Sequence, residues 1–258
     1  MKKQRLFWMC LFLFVIGFSF SKADIDFNDG EIHDISISGN YWIRADYDTP
    51  GKYTTLNFLE GSSCSSIRAY EDSSVNFLGG SLNSKVLGVE GELGCFGRSQ
   101  VKMSGGYISF RVFAAYQSSV EFTGGEIGSV VMDSPWGAPI REASITALGN
   151  STIDIKKVLL SDQSLVQAAA EGMITIYGYN FFVDGVFVGN RELVSLGDEI
   201  LHMQPIRRLS GNFSDGSPFE FDFRIADNAK ILLVPEPLTC LYFSLGGIIA
   251  IRKRKVSQ

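Results

Sequence analysis

Three stretches in the middle of the chain read almost alike: SSVNFLGGSL (Ser73–Leu82), SQVKMSGGYI (Ser99–Ile108) and SSVEFTGGEI (Ser118–Ile127). Each is a small polar pair, a strand of alternating apolar residues, a Gly-Gly and one more apolar residue. Weaker copies are DIDFNDGEI (Asp24–Ile32), TTLNFLEGS (Thr54–Ser62), STIDI (Ser151–Ile155) and MITIYG (Met173–Gly178). A second apolar position precedes most copies by eight residues: Ile67 before Val75, Leu93 before Val101, Val112 before Val120, Ile145 before Ile153, Val166 before Ile174. Two residues after each leading position stands a small side chain: Ala69, Cys95, Ala114, Ala147 or Ala168. Ile43-Arg44-Ala45 fits the same pattern, with five extra residues before Leu56.

Such a unit cannot fold alone. A strand of four residues turns only two side chains to one face. Stacked copies can bury those faces together and pair their backbones coil to coil. The second-strand positions 25, 56, 75, 101, 120, 153 and 174 lie 31, 19, 26, 19, 33 and 21 residues apart. That fits coils of roughly 20 residues with inserted loops. The reading is an all-β chain, a right-handed parallel β-helix or related β-solenoid over residues 24–179. A β-sandwich is the alternative, since turns every 8–12 residues or so are also compatible with it. The best helical candidate, Ser164–Ala170, also fits the strand register. After Gly178 the pattern changes. Asp184-Gly185 and Asp215-Gly216 mark hairpin turns, and Phe219, Phe221 and Phe223 share one face. Residues 180–233 are expected to form a C-terminal β cap over the open end of the stack.

Both ends of the chain read as targeting segments. Lys2, Lys3 and Arg5 precede the apolar run Leu6–Phe20, and Ser21-Lys22-Ala23 supplies small residues for signal peptidase. Residues 1–23 are therefore expected to be a signal peptide cleaved after Ala23, against the plainer reading of a retained anchor. Between the two ends, residues 24–233 hold 15 Lys+Arg against 27 Asp+Glu, a net charge of −12. Such a domain repels nucleic acid. Cys64 and Cys95 are the central cysteines; in an exported protein they form a disulfide or stay as two buried thiols. With no CxxC and only His33 and His202, zinc ligation of the common kind is not expected.

The last residues, 234–258, contain Pro235-Glu236-Pro237, an apolar span over 238–251, and Arg252-Lys253-Arg254-Lys255. Fourteen apolar residues span about 21 Å as a helix, short of the roughly 30 Å hydrocarbon core. The four cations would hold the C-terminus on the cytoplasmic side. This order resembles the PEP-CTERM sorting signal of bacterial exported proteins, over about the last 25 residues. The resemblance implies export, transient retention in the inner membrane by the tail, and processing near Pro235-Glu236-Pro237 by an exosortase, a membrane enzyme. It implies a mature protein that is secreted or held at the cell surface, in bacteria that make exopolysaccharide. It implies no activity, because the signal is carried by many unrelated domains.

Three functions fit the central domain. The first is a non-enzymatic surface or matrix protein, with no catalytic and no metal-ligating residue singled out; the recurrent Ser73, Ser74, Ser118, Ser119 and Thr152 are then turn or ladder hydroxyls. The second is a carbohydrate-binding or carbohydrate-cleaving β-helix. Its paired carboxylates would be Glu90 with Glu92 or Glu121 with Glu126, or its base Asp133 with Arg141 as the charge-stabilising cation, and its aromatics Trp42, Tyr47, Tyr53, Tyr70, Tyr107 and Trp136. Glu121 is expected to face solvent, with Asn76 and Lys102 as register neighbours. The third is a calcium-dependent adhesin using Asp26, Asn28, Asp29 and Glu31, or Asp46 and Asp48, although neither cluster is an EF-hand loop. Calcium is the one cofactor the sequence raises.

Overall fold

The computed structural model describes residues 23–83, 91–128, 131–132, 140–141, 144–161, 164–195 and 205–235. Every regular element among them is a strand, most strands pair in parallel, and they form long sheets in a β-helix-like arrangement. A β-sandwich of antiparallel pairs does not produce this pairing.

The first sheet stacks the leading strands of the repeat. Ile43, Ile67, Leu93, Val112, Ile145 and Val166 occupy one register across successive strands. Ala45, Ala69, Cys95, Ala114, Ala147 and Ala168 occupy the register two residues on, as the spacing predicts. The second sheet aligns Leu56, Val75, Val101, Val120, Ile153 and Ile174 in the same way. A third, narrow sheet pairs the residues that follow the Gly-Gly corners, with Cys64, Leu82, Ile108, Ile127 and Leu160 in one register. The stretch read as a possible helix is the strand Leu165–Ala169.

One weak copy belongs elsewhere. Ile25 was expected in the second-strand series, but Ala23–Phe27 pairs with Tyr41–Ala45 and puts Ile25 opposite Ile43, in the first sheet. The second-sheet strand of that coil is Ile32–Ile35, which places His33 opposite Leu56. Ala23–Phe27 alternates apolar and polar residues cleanly and Ile32–Ile35 does not, so periodicity pointed to the wrong segment for the second sheet.

Two kinds of corner fix the coil. Between the first and second sheets, a serine or threonine hydroxyl is buried at Thr54, Ser73, Ser99, Ser118 and Ser151. Ser99 Oγ donates to Ala69 O, Ser118 Oγ to Cys95 O and Ser151 Oγ to Ala114 O, each reaching back to an earlier coil. Thus the hydroxyls satisfy carbonyls that the turning chain leaves behind. After the second sheet, the second glycine of each Gly-Gly pair has positive φ: 75° at Gly80, 83° at Gly106 and 91° at Gly125. A side chain at Gly80 would also meet the backbone oxygen of Ser62 at 2.5 Å, so there conformation and space both require glycine.

The interior is a run of ladders. Phe58 and Phe77 are fully buried and stack at 4.9 Å, and the same register continues to Met103 and Phe122. The segment expected as a cap divides in two. Pro218–Ile225 and Lys230–Val234 form one more parallel coil, pairing with Leu165–Ala169 and Met173–Tyr177. Antiparallel strands then finish the sheets. Arg207–Asn212, Tyr179–Val183 and Val186–Phe187 extend the first sheet, and Glu192–Val194 borders the second. Asp184 and Gly185, both at positive φ, make the tight hairpin turn their sequence predicts.

Replacing Phe77 by Ala removes a fully enclosed ring from the middle of a ladder. It is expected to destabilise the protein by about 3–5 kcal/mol. Ala114→Leu, which forces volume into the small-residue row, is expected to cost about 1–3 kcal/mol. Urea denaturation measures both.

Candidate functional site

Alternation sends every second residue of a strand outward, so register builds rows on the surface as well as inside. On the second sheet one such row runs Asp34, Asn57, Asn76, Lys102, Glu121, Asp154, Thr175. Its first part is an amide chain: Asn76 Nδ2 donates to Asn57 Oδ1 and Asn57 Nδ2 to Asp34 Oδ1, both at 2.8 Å. Its later part is charged. Lys102 and Asn76 are the expected neighbours on one side of Glu121, but Asp154 stands on the other side. Two carboxylates therefore sit on adjacent strands, about 4.8 Å apart along the sheet.

The corner after Ile155 supplies the cations. The N–H groups of Lys156 and Lys157 both donate to Phe122 O, at 2.9 and 3.3 Å, so the chain bends sharply there. Lys156 reaches back to Glu121 Oε1 at 2.5 Å, with its Nζ 5.8 Å from the Tyr177 ring centre. Lys157 reaches to Asp215 Oδ2 at 2.6 Å, in the turn of the terminal hairpin. Between corner and turn lies a cleft of about 440 Å³ lined by Thr123, Lys156, Lys157, Ser214 and Asp215. A second hollow of about 470 Å³ continues along the same seam, with Leu159, Phe182, Asn212 and Pro218 among its walls.

The electrostatics follow from partial burial. Asp154 has its carboxyl pushed above the usual range, chiefly by burial and further by the Glu121 charge, against the opposing effects of the Thr175 hydrogen bond and Lys156. The Glu121 hydrogen bond, against burial, raises the Lys156 ammonium above its ordinary value, and the charges of Glu121 and Asp154 act in the same direction. Burial raises the Tyr177 hydroxyl. Asp215 is held well below the carboxylate range by Lys157 and by Ser217, which donates both its hydroxyl and its backbone N–H.

The sequence candidates are mostly separated. Glu126 lies in the third sheet opposite Tyr107 and Leu159, so it does not join Glu121. Glu92 is buried between Arg68 and Arg111, at 2.9 and 2.7 Å. Glu90, Asp133, Trp136 and His202 lie outside the described residues, and only the backbone of Arg141 is described. Cys64 and Cys95 are two free buried thiols, so the disulfide option is not realised. Cys64 sits in the third sheet and Cys95 in the small-residue row of the first. In the acidic clusters, Asp26 is bidentate to Arg44, Asp29 accepts from His33, and Asp46 accepts from Thr54. Among the aromatics, Tyr70 stacks on Phe96 at 5.1 Å and meets Tyr47 edge-on, while Trp42 lies beneath Arg68. Pro235 directly follows the last strand; Glu236, Pro237 and Arg252, Lys253, Arg254, Lys255 lie outside the described residues. Among the described residues, no helix is long and apolar enough to cross a membrane.

Sequence reasoning missed Asp154 and the seam. The signal for Asp154 was present, because Ile153 holds the same register as Val120 and the next residue must then neighbour Glu121. The meeting of Lys157 with Asp215, 58 positions apart, had no local signal. No protein-family model, no curated protein and no solved structure matches the chain.

Two outcomes are expected. Burial pushes the Cys64 thiol up to about 12 and the Cys95 thiol up to about 11, and the thiolate is the reactive form. Peptide mass mapping after alkylation near neutral pH should find both unmodified in the native protein and modified after denaturation. For Asp154, the raised folded value means the carboxyl favours folding while protonated, and that contribution is lost as pH rises through the folded value. Asp154→Asn should therefore raise the melting temperature near neutral pH, and the difference should vanish below the unfolded value of 3.8.

Proposed function

We propose that this chain is an exported, non-enzymatic protein of the cell surface or extracellular matrix. Its body is a right-handed parallel β-helix, and its C-terminus is a sorting signal read by an exosortase-type membrane enzyme. The handedness rests on the rule that crossovers between parallel strands of one sheet are right-handed in about 98% of cases. The observation that carries the sorting reading is where the stack stops. Among the described residues Lys230–Val234 is the last strand, with Val234 opposite Tyr177, and Pro235 is the first residue beyond it.

Physical chemistry favours that position for a recognition strip. Proline has no N–H to continue the ladder and fixes φ, so pairing ends there. The residue before each proline is pushed to extended backbone. The sequence Pro235-Glu236-Pro237 thus suits recognition by a processing enzyme at the membrane, with Glu236 as the charge it reads. At the other end, the first strand opens at Ala23, next to the expected signal peptidase site. The outward charges of the stack support a scaffold rather than a reaction centre. Arg44 with Asp26, Arg98 with Asp72, Lys156 with Glu121 and Arg207 with Asp184 are matched pairs spread over different coils.

Intact mass and membrane fractionation in the native host, with Glu236→Ala beside the wild type, test the reading. The wild type is expected to lose residues beyond the motif and leave the inner membrane, and the variant to do so poorly. An uncleaved tail in both, with the protein retained in the membrane, overturns it.

A further inference from the structure

We infer that the seam between the Lys156-Lys157 corner and the terminal hairpin binds an uncharged, hydroxyl-rich ligand, a short segment of neutral hexose glycan. This rests on the seam's own geometry and does not depend on the export reading.

Charge selects the ligand class. The two ammoniums of the cleft each have a carboxylate, Glu121 for Lys156 and Asp215 for Lys157. The site therefore offers no net positive charge to an anion. The net −12 of residues 24–233 adds long-range repulsion against acidic chains. A cation fares no better, because both carboxylates already carry an ammonium. What the cleft does offer is donors and acceptors side by side. A lysine ammonium has three N–H groups, and each ion pair leaves two for another acceptor. The carboxylates keep lone pairs for hydroxyl donors. Ser214 is a further polar residue of the lining. Ligand hydroxyls are both donor and acceptor, so they match this mixed set where a pure anion or cation does not.

Shape and order agree with the chemistry. The ion pairs hold two long side chains in place, which lowers the ordering needed on binding. Thr123, on the neighbouring coil, adds a further hydroxyl to the lining. Farther along the seam, Leu159 is 60% exposed and faces the same hollow as Phe182 and Pro218. Those apolar surfaces suit the C–H faces of a sugar ring, while Asn212 and Asn180 lie at its edges. The hollows, about 440 and about 470 Å³, each fall within the roughly 300–1,000 Å³ of ordinary ligand sites. Consecutive residues line them, Lys156 and Lys157 the first and Val158 to Leu160 the second, which suits an oligosaccharide rather than a single compact molecule.

The test is titration calorimetry of the full chain in mild detergent. The probes are linear neutral glucan and mannan tetrasaccharides and a polyuronate tetrasaccharide. The expected result is binding of at least one neutral probe, insensitive to salt, and weakened about tenfold or more by Lys157→Met and by Asp215→Ser, equal to about 1.4 kcal/mol. Arg98→Met, which breaks a similar pair on the Gln100–Met103 coil, should leave the affinity unchanged. Thermal melting checks that each variant is folded. If either seam variant melts early, Thr123→Val replaces it and should weaken binding in the same direction. The proposal is overturned by no binding of any neutral probe up to millimolar concentration. It is equally overturned by tighter, salt-sensitive binding of the polyuronate, or by folded seam variants with unchanged affinity.

Discussion

The structure depends on one constraint: a four-residue strand can bury only two side chains, and can satisfy its backbone only against another strand. Every coil therefore needs the next. Val75 and Phe77 are enclosed because Leu56 and Phe58 lie on one side and Val101 and Met103 on the other. The hydroxyls of Ser99, Ser118 and Ser151 strengthen the same dependence, because each donates to a carbonyl of an earlier coil. Burial is the driving force, at about 25 cal/mol per Å² of apolar surface. Register is the condition under which it is collected, since a slip of one residue would turn Phe77 outward and Asn76 inward.

The same register that aligns the core also decides which charges meet. Glu92 lies between Arg68 and Arg111 because their strands are neighbours, and it is buried there with both partners in place. Removing either arginine would leave a buried carboxylate short of compensation, which is more damaging than the pair is stabilising. The exposed pairs have another character. Arg208 with Glu220 and Lys230 with Glu192 lie largely in water, where such contacts contribute little and are screened by salt. The protein thus tolerates a large acidic excess by spreading it over coils rather than concentrating it.

Irregularity enters where the repeat ends. The third sheet stops at Leu159–Leu160, while the first two sheets continue into Pro218–Ile225 and Lys230–Val234. The chain between them folds back as antiparallel strands that cover the growing edges, which would otherwise pair with other chains. The mismatch between a sheet that stops and two that continue leaves the seam. It is lined by side chains from residues 123 to 221, which no single coil could bring together.

The sequence by itself determined the repeat, the eight-residue offset, the small-residue row and the need for glycine at the second corner. Each of these is local: alternation, side-chain volume and positive φ act within one coil and recur in the next. The two terminal segments proposed to act in targeting likewise rest on contiguous residues. Sheet assignment of Ile25 was not legible, because Ala23–Phe27 has the cleaner alternation of the two segments and only pairing, with Ile43 opposite Ile25 and Leu56 opposite His33, assigns them. Nor was the final coil, since Phe219, Phe221 and Phe223 read equally well as a hairpin face and as a rung of the stack. Only the tertiary structure brought Lys156 back onto Glu121 and Lys157 against Asp215. Those contacts depend on the lengths of inserted loops and on how the chain folds back at the end of the stack. Distance in space there bears no fixed relation to distance in sequence.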